Sequence, residues 1–166
     1  MRTRIMLVLA AAAAVVTVLA TGALAGGTQS KFHASASKEK RALFAVMTGR
    51  KEVDANGNRR VGDPDGRGTF TAIVDGAKLC FGITVTNLDA PVAAHIHKAR
   101  PNQAGGIVLP LTAPTDGDPG ASSACVDIDT TLAAAILKNP HKYYVNVHTA
   151  AFPGGAVRGQ LFAKSR

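Results

Sequence analysis

The chain has 166 residues, 46% of them hydrophobic and 18% charged, with a formal net charge of +8 at pH 7. The basic residues are dispersed (Lys38, Lys40 and Arg41, Arg50 and Lys51, Arg59 and Arg60, Lys98 and Arg100, and the C-terminus) and none is interleaved with stacking aromatics, which excludes a nucleic-acid interface. At most, such a charge favours loose contact with anionic cell-envelope polymers. The first 25 residues read as an export signal: Arg2 and Arg4, an apolar run from Ile5 to Leu19, then the small-x-small site Ala23-Leu24-Ala25. Cleavage after Ala25 removes two positive charges, lowering +8 to +6, and leaves enough chain for one domain with a real core. No other segment reads as a membrane span, and no cysteine stands at the cleavage point to carry a lipid. Residues 26–41 are small and polar, a flexible lead-in, and the domain is expected over 42–163.

From Ala42 onward, short apolar runs alternate with turn residues. The runs are Ala42–Thr48, Gly68–Val74, Leu79–Leu88, Ala93–His97, Ile107–Leu111, Ala124–Ile128, Tyr143–His148 and Ala156–Phe162. The punctuation is Asn56-Gly57-Asn58, Asp63-Pro64-Asp65-Gly66, Asp75-Gly76, the Asp116–Gly120 stretch and Pro153-Gly154-Gly155. About eight strands at this spacing predict an all-β antiparallel sandwich or barrel. One helix interrupts them at 129–138, with Asp129 as its cap and Asn139-Pro140 as its stop. Cys80 and Cys125 both fall on the non-core phase of their strands, and two cysteines in an exported chain predict one disulfide.

The chemistry concentrates in three segments. In an extended strand, residues two apart share a face, so His95 and His97 face one way with Ile96 behind them. Tyr144, Asn146 and His148 are likewise backed by Val145 and Val147, and Arg158 and Gln160 are set against Val157. Neighbouring strands would gather these groups into one polar patch. His-x-His on a strand is a bidentate metal fragment, and His148 would complete a three-nitrogen set suited to copper or zinc. The alternative is that the imidazoles only hydrogen-bond across strands, to Asn146, Tyr144 or backbone. Glu52 could join the patch as an oxygen ligand or proton acceptor, with Arg158 an anion clamp, or the two could form a structural ion pair. His33 in the lead-in and His141 before a strand read as solvated.

Ala94-His95-Ile96-His97, the Tyr144–Thr149 run and Val157-Arg158-Gly159-Gln160-Leu161 resemble the hallmarks of the chordin-type (CHRD) domain. So do Met47-Thr48-Gly49-Arg50-Lys51-Glu52-Val53, Asp65-Gly66-Arg67-Gly68-Thr69 and Leu79-Cys80-Phe81, which carries the resemblance from about Ala42 to Phe162. Lys98-Ala99-Arg100 departs from it, standing where the family has a small, Gly-containing turn. The resemblance implies a β-sandwich in an extracellular protein and assigns no reaction. A His-x-His strand with a late Arg is also partly similar to Cu/Zn superoxide dismutase, but the fourth copper histidine and the zinc loop of that family have no counterpart between His97 and Ala124.

No Gly-x-Ser-x-Gly elbow surrounds Ser35 or Ser122-Ser123, and the Asp63/Asp65 and Asp116/Asp118 pairs lack the rest of a calcium loop. The sequence therefore points to a secreted, non-enzymatic binding module with no catalytic residue assigned. Its partner is expected to be an extracellular ligand or cell-envelope component, and a copper or zinc ion at the histidines is part of the expectation. A superoxide dismutase-like redox enzyme is the competing reading.

Overall fold

The computed structural model describes residues 41–117 and 120–163. The export signal, the lead-in with His33, and Asp118 lie outside the described residues. Among the described residues, nine strands form one antiparallel sheet: β1 (Arg41–Thr48), β2 (Arg67–Asp75), β3 (Lys78–Thr86), β4 (Pro91–Lys98), β5 (Ile107–Leu111), β6 (Gly120–Asp127), β7 (Tyr143–Thr149), β8 (Val157–Gln160) and β9 (Phe162–Ala163). The order across the sheet is β5-β4-β7-β8-β1-β2-β3-β6, with β9 also paired to β1.

Period-2 patterning sets which way each strand faces. In β2 and β3 every second residue is buried, so Gly68, Phe70, Ala72 and Val74 stand with Leu79, Phe81, Ile83 and Val85 in one core. Leu43, Ala45 and Met47 add to it from β1, and Ala94, Ile96, Val145, Val147 and Val157 from the other half of the sheet. The hairpin turn between β2 and β3 needs a left-handed residue, and Gly76 supplies it at φ 62°. The outermost strands are drawn together by the connection between them: Ser122 Oγ donates to the Thr112 carbonyl at 2.9 Å, and Asp116 pairs with Ala121. The sheet thus nearly closes on itself as a barrel-like sandwich.

Helix α1 (Thr130–Lys138) forms where expected: Asp129 accepts the Leu132 N–H at 2.9 Å, and the chain leaves the helix at Asn139 before Pro140. Its Ala133 and Ile136 are buried in the common core. Among the described residues no helix is long and apolar enough to cross a membrane. The final expected strand is two strands. Leu161 turns its side chain into the core and its N–H to the Tyr143 carbonyl (2.9 Å), after which Phe162 and Ala163 switch partners to β1.

Cys80 and Cys125 stand directly opposite each other on β3 and β6, exposed on the outer face, and are bonded. The bridge closes a loop of 45 residues. Replacing both cysteines with Ala is expected to lower stability by about 2–4 kcal/mol in urea unfolding and to steepen the slope, because the unfolded chain without the bridge is more open; an unchanged midpoint would show that the sheet alone holds these strands.

Candidate metal centre

Strands β4, β7 and β8 are adjacent, with His95 opposite Asn146, His97 opposite Tyr144, and Asn146 opposite Arg158. Their inner side chains are the aliphatic core, so the polar side chains all rise from the outer face. That face is largely covered. Glu52, Asn146 and Arg158 are each only 1% exposed and His97 7%, while His95 and His148 are half-buried at the rim. Three segments make the cover: the turn carrying Glu52, the 99–106 connection that follows β4, and the 150–156 turn that follows β7.

The histidines converge. One ring nitrogen from each of His95, His97 and His148 lies within 4.8 Å of the other two. Nitrogens bound to one tetrahedral ion at about 2.0–2.1 Å stand about 3.4 Å apart, and His95 Nδ1 and His148 Nε2 are already 3.1 Å apart. Hydrogen-bond partners fix the tautomers of two rings. His97 Nδ1 donates to the Gly105 carbonyl (2.9 Å) and His148 Nδ1 to the Pro153 carbonyl (3.0 Å), since a carbonyl only accepts. Both Nε2 atoms therefore carry lone pairs when the rings are neutral, with the backbone-carbonyl support that orients metal-binding histidines. His148 Nε2 accepts from His95, whereas His97 Nε2 is buried and has no hydrogen-bond partner.

The rest of the layer supports His97. Its ring stacks on Tyr144 at 4.8 Å between centroids and 11° between planes, and the Arg158 guanidinium lies 3.5 Å from the Tyr144 centroid. The Tyr144 hydroxyl accepts the Gly105 N–H at 3.2 Å. Arg158 Nη2 donates to the Arg100 carbonyl at 3.1 Å, and Gln160 donates to the Ala99 and His141 carbonyls, both at 2.7 Å. The 99–106 connection, which includes the departure at Ala99-Arg100, is thus a lid whose backbone carbonyls bind the patch. Burial pushes the pKa of His97 down to about 4 and lowers that of His95, whose charge is further opposed by His148. Burial also raises Glu52 to about 7, against the pull of the Val53 N–H, Arg158 and Asn146.

Glu52 and Arg158 both reach this layer but form no salt bridge. Arg158 turns to the Arg100 carbonyl, and Glu52 Oε1 accepts the Val53 N–H at 3.2 Å while Oε2 has no hydrogen-bond partner. His141 is exposed and is not part of the cluster, which comprises three residues among those described. Asp63 and Asp65 form a turn, with Asp63 Oδ1 accepting the Gly66 N–H at 3.1 Å.

Sequence reasoning missed Gly105, Pro153 and Gly155, which act through backbone or through the lack of a side chain. The glycine pairs at 105–106 and 154–155, each following a histidine segment, were the available signal. Gly155 sits at φ 139°, and a Cβ there would overlap Glu52 Oε2 and stand 2.6 Å from Asn146 Nδ2. Gly155→Ala is therefore expected to cost roughly 2–4 kcal/mol in chemical unfolding; a cost below about 0.5 kcal/mol would mean the turn yields freely.

No curated protein and no solved structure matches the chain significantly. The family model of the CHRD domain matches residues 43–161, which spans the sheet from β1 to Leu161 and includes His95, His97, His148, Glu52 and Arg158. The chain belongs to the CHRD domain family.

Proposed function

We propose that this chain is a secreted, non-enzymatic binding module that holds one copper or zinc ion through His95, His97 and His148. The observation that carries the metal reading is His97 Nε2, a buried lone pair without a partner beside two further imidazole nitrogens. An unpartnered buried acceptor costs about 1–3 kcal/mol, which a bound ion would recover. Three neutral nitrogen donors suit either metal, and the usual affinity order favours copper(II) over zinc. A CHRD domain and an exposed disulfide fit an oxidising extracellular setting, and Ala25 remains the proposed cleavage point. The partner is an extracellular ligand or cell-envelope component.

One observation favours the redox reading: His95 and His148 are half-exposed, so a small molecule could approach the ion from the rim. Elemental analysis of protein purified without a histidine tag, combined with a superoxide turnover assay, separates the two. A stoichiometric metal without turnover supports the binding module. Turnover that tracks copper content would replace it with an enzyme, and no metal at any loading would overturn both readings.

A further inference from the structure

On the far side of Arg158 from the histidines lies a groove of about 260 Å³ that the metal centre does not use. One side is apolar: Val46 is 54% exposed and Phe162 50% exposed, the latter stacked on Phe44 at 5.6 Å between centroids. Pro101 extends that wall. What distinguishes Val46 and Phe162 from the chain's other exposed apolar side chains is that they line one concave surface together with Pro101, which reads as a contact surface.

The rest of the lining is polar, of three kinds. Lys51 Nζ is held over the groove by one hydrogen bond to the Val46 carbonyl (2.7 Å), which leaves two ammonium donors unused. Arg158 lines the groove from beneath: it is 1% exposed and its unpartnered Nη1 is buried, so it lends positive charge to the floor rather than an open donor. Asn102, in the left-handed region at φ 64°, is pinned by Arg59 through its Oδ1 (2.6 Å), and its amide nitrogen makes no hydrogen bond among the described residues. Gln160 spends its Nε2 on two carbonyls, so its Oε1 stands as an acceptor without a partner among the described residues.

We infer that this groove binds the free C-terminus of a peptide whose last residue is small and apolar. The carboxylate meets the exposed Lys51 ammonium and the Asn102 amide, over the buried charge of Arg158. The last peptide N–H meets Gln160 Oε1, and a Val- or Leu-sized side chain packs between Val46, Phe162 and Pro101. A fatty acid would satisfy Lys51 and the apolar wall but offers no N–H to Gln160, and a peptide amide would lack the anion. This site goes beyond the metal proposal and does not depend on it.

The test uses N-acetyl-glycyl-leucine, its C-terminal amide, and 4-methylpentanoate as probes on mature protein with an intact disulfide. Calorimetry gives affinity, and backbone amide NMR locates the contact. The acid is expected to bind and to shift the Val46, Lys51 and Phe162 signals. The amide and 4-methylpentanoate should each bind about tenfold more weakly, and Lys51→Met should weaken the acid by about fivefold. Phe162→Ala, a change at a half-exposed side chain, should weaken acid and amide alike. Chelator-treated protein should bind equally well, so this site and the metal centre stand or fall separately. Equal binding of acid and amide, 4-methylpentanoate as tight as the dipeptide, shifts confined to another surface, or no binding at millimolar probe would each overturn the assignment.

Discussion

His97→Ala is expected to weaken copper or zinc binding by more than about 100-fold, beyond the loss usual for an outer-shell change. It removes the one ligand whose lone pair is buried without a partner, and leaves a two-imidazole pair at the rim. The core faces of β4 and β7 are untouched, so the fold should persist, with a cost of roughly 1–3 kcal/mol for the lost hydrogen bond to the Gly105 carbonyl, which keeps only the longer bond from the Tyr144 hydroxyl, and the lost stacking on Tyr144. His141→Ala, on the exposed turn before β7, should leave the metal isotherm unchanged. A His97→Ala protein that loses stability yet binds metal like the wild type would reduce the histidines to hydrogen-bonding props.

The second large effect is a reversal of pH dependence in the metal-free protein. Glu52 has a folded pKa of about 7 against an ordinary 4.5, so the folded state keeps a proton that the unfolded chain has released. Its stabilising contribution is full below 4.5 and is lost as pH rises through 7. His97 has a folded pKa of about 4 against 6.5, so below 6.5 the unfolded chain gains a proton that the folded state refuses. Its contribution is full above 6.5 and is lost as pH falls through 4. Each shift corresponds to about 3 kcal/mol, and the two slopes oppose each other between 4.5 and 6.5.

Relative to the wild type, Glu52→Gln should therefore lose about 3 kcal/mol on acidification from pH 7 to pH 4, and His97→Gln should gain about as much over the same range. Urea unfolding of both variants in the presence of chelator reads the divergence directly, because every other titrating group is common to both. Parallel curves would show that neither side chain is held away from water as the structure describes.

The sequence made the frame legible because strand periodicity and turn residues are local. Leu79, Phe81, Ile83 and Val85 mark a core face without reference to anything distant, and the Asp129 cap and Pro140 stop bound the helix on their own. The outward phase of Cys80 and Cys125 likewise depends only on alternation, and the two strands pair as that phase requires. The same logic put His95 with His97 and Tyr144 with Asn146 and His148, but whether those faces meet depends on the order β4-β7-β8, which no local pattern encodes.

What lay beyond sequence reasoning was the cover over the outer face. Gly105, Pro153 and Arg100 act through carbonyls, so their side chains give no hint of the role. The missing Glu52–Arg158 ion pair is a consequence of the same cover: the Arg100 carbonyl captures the guanidinium, and the carboxyl is left to burial. The break at Leu161 was hidden for a related reason. An apolar residue continues a strand pattern whether the backbone stays with one partner or changes to another.

The central claim is that His95, His97 and His148 together bind one ion, and X-ray absorption at the copper or zinc edge tests it most directly. On tag-free mature protein loaded with one equivalent of metal, the account predicts three imidazole scatterers with metal–nitrogen distances of about 2.0–2.1 Å, falling to two in His97→Ala. A wild-type spectrum with fewer than three imidazoles, or one that His97→Ala leaves unchanged, would contradict it.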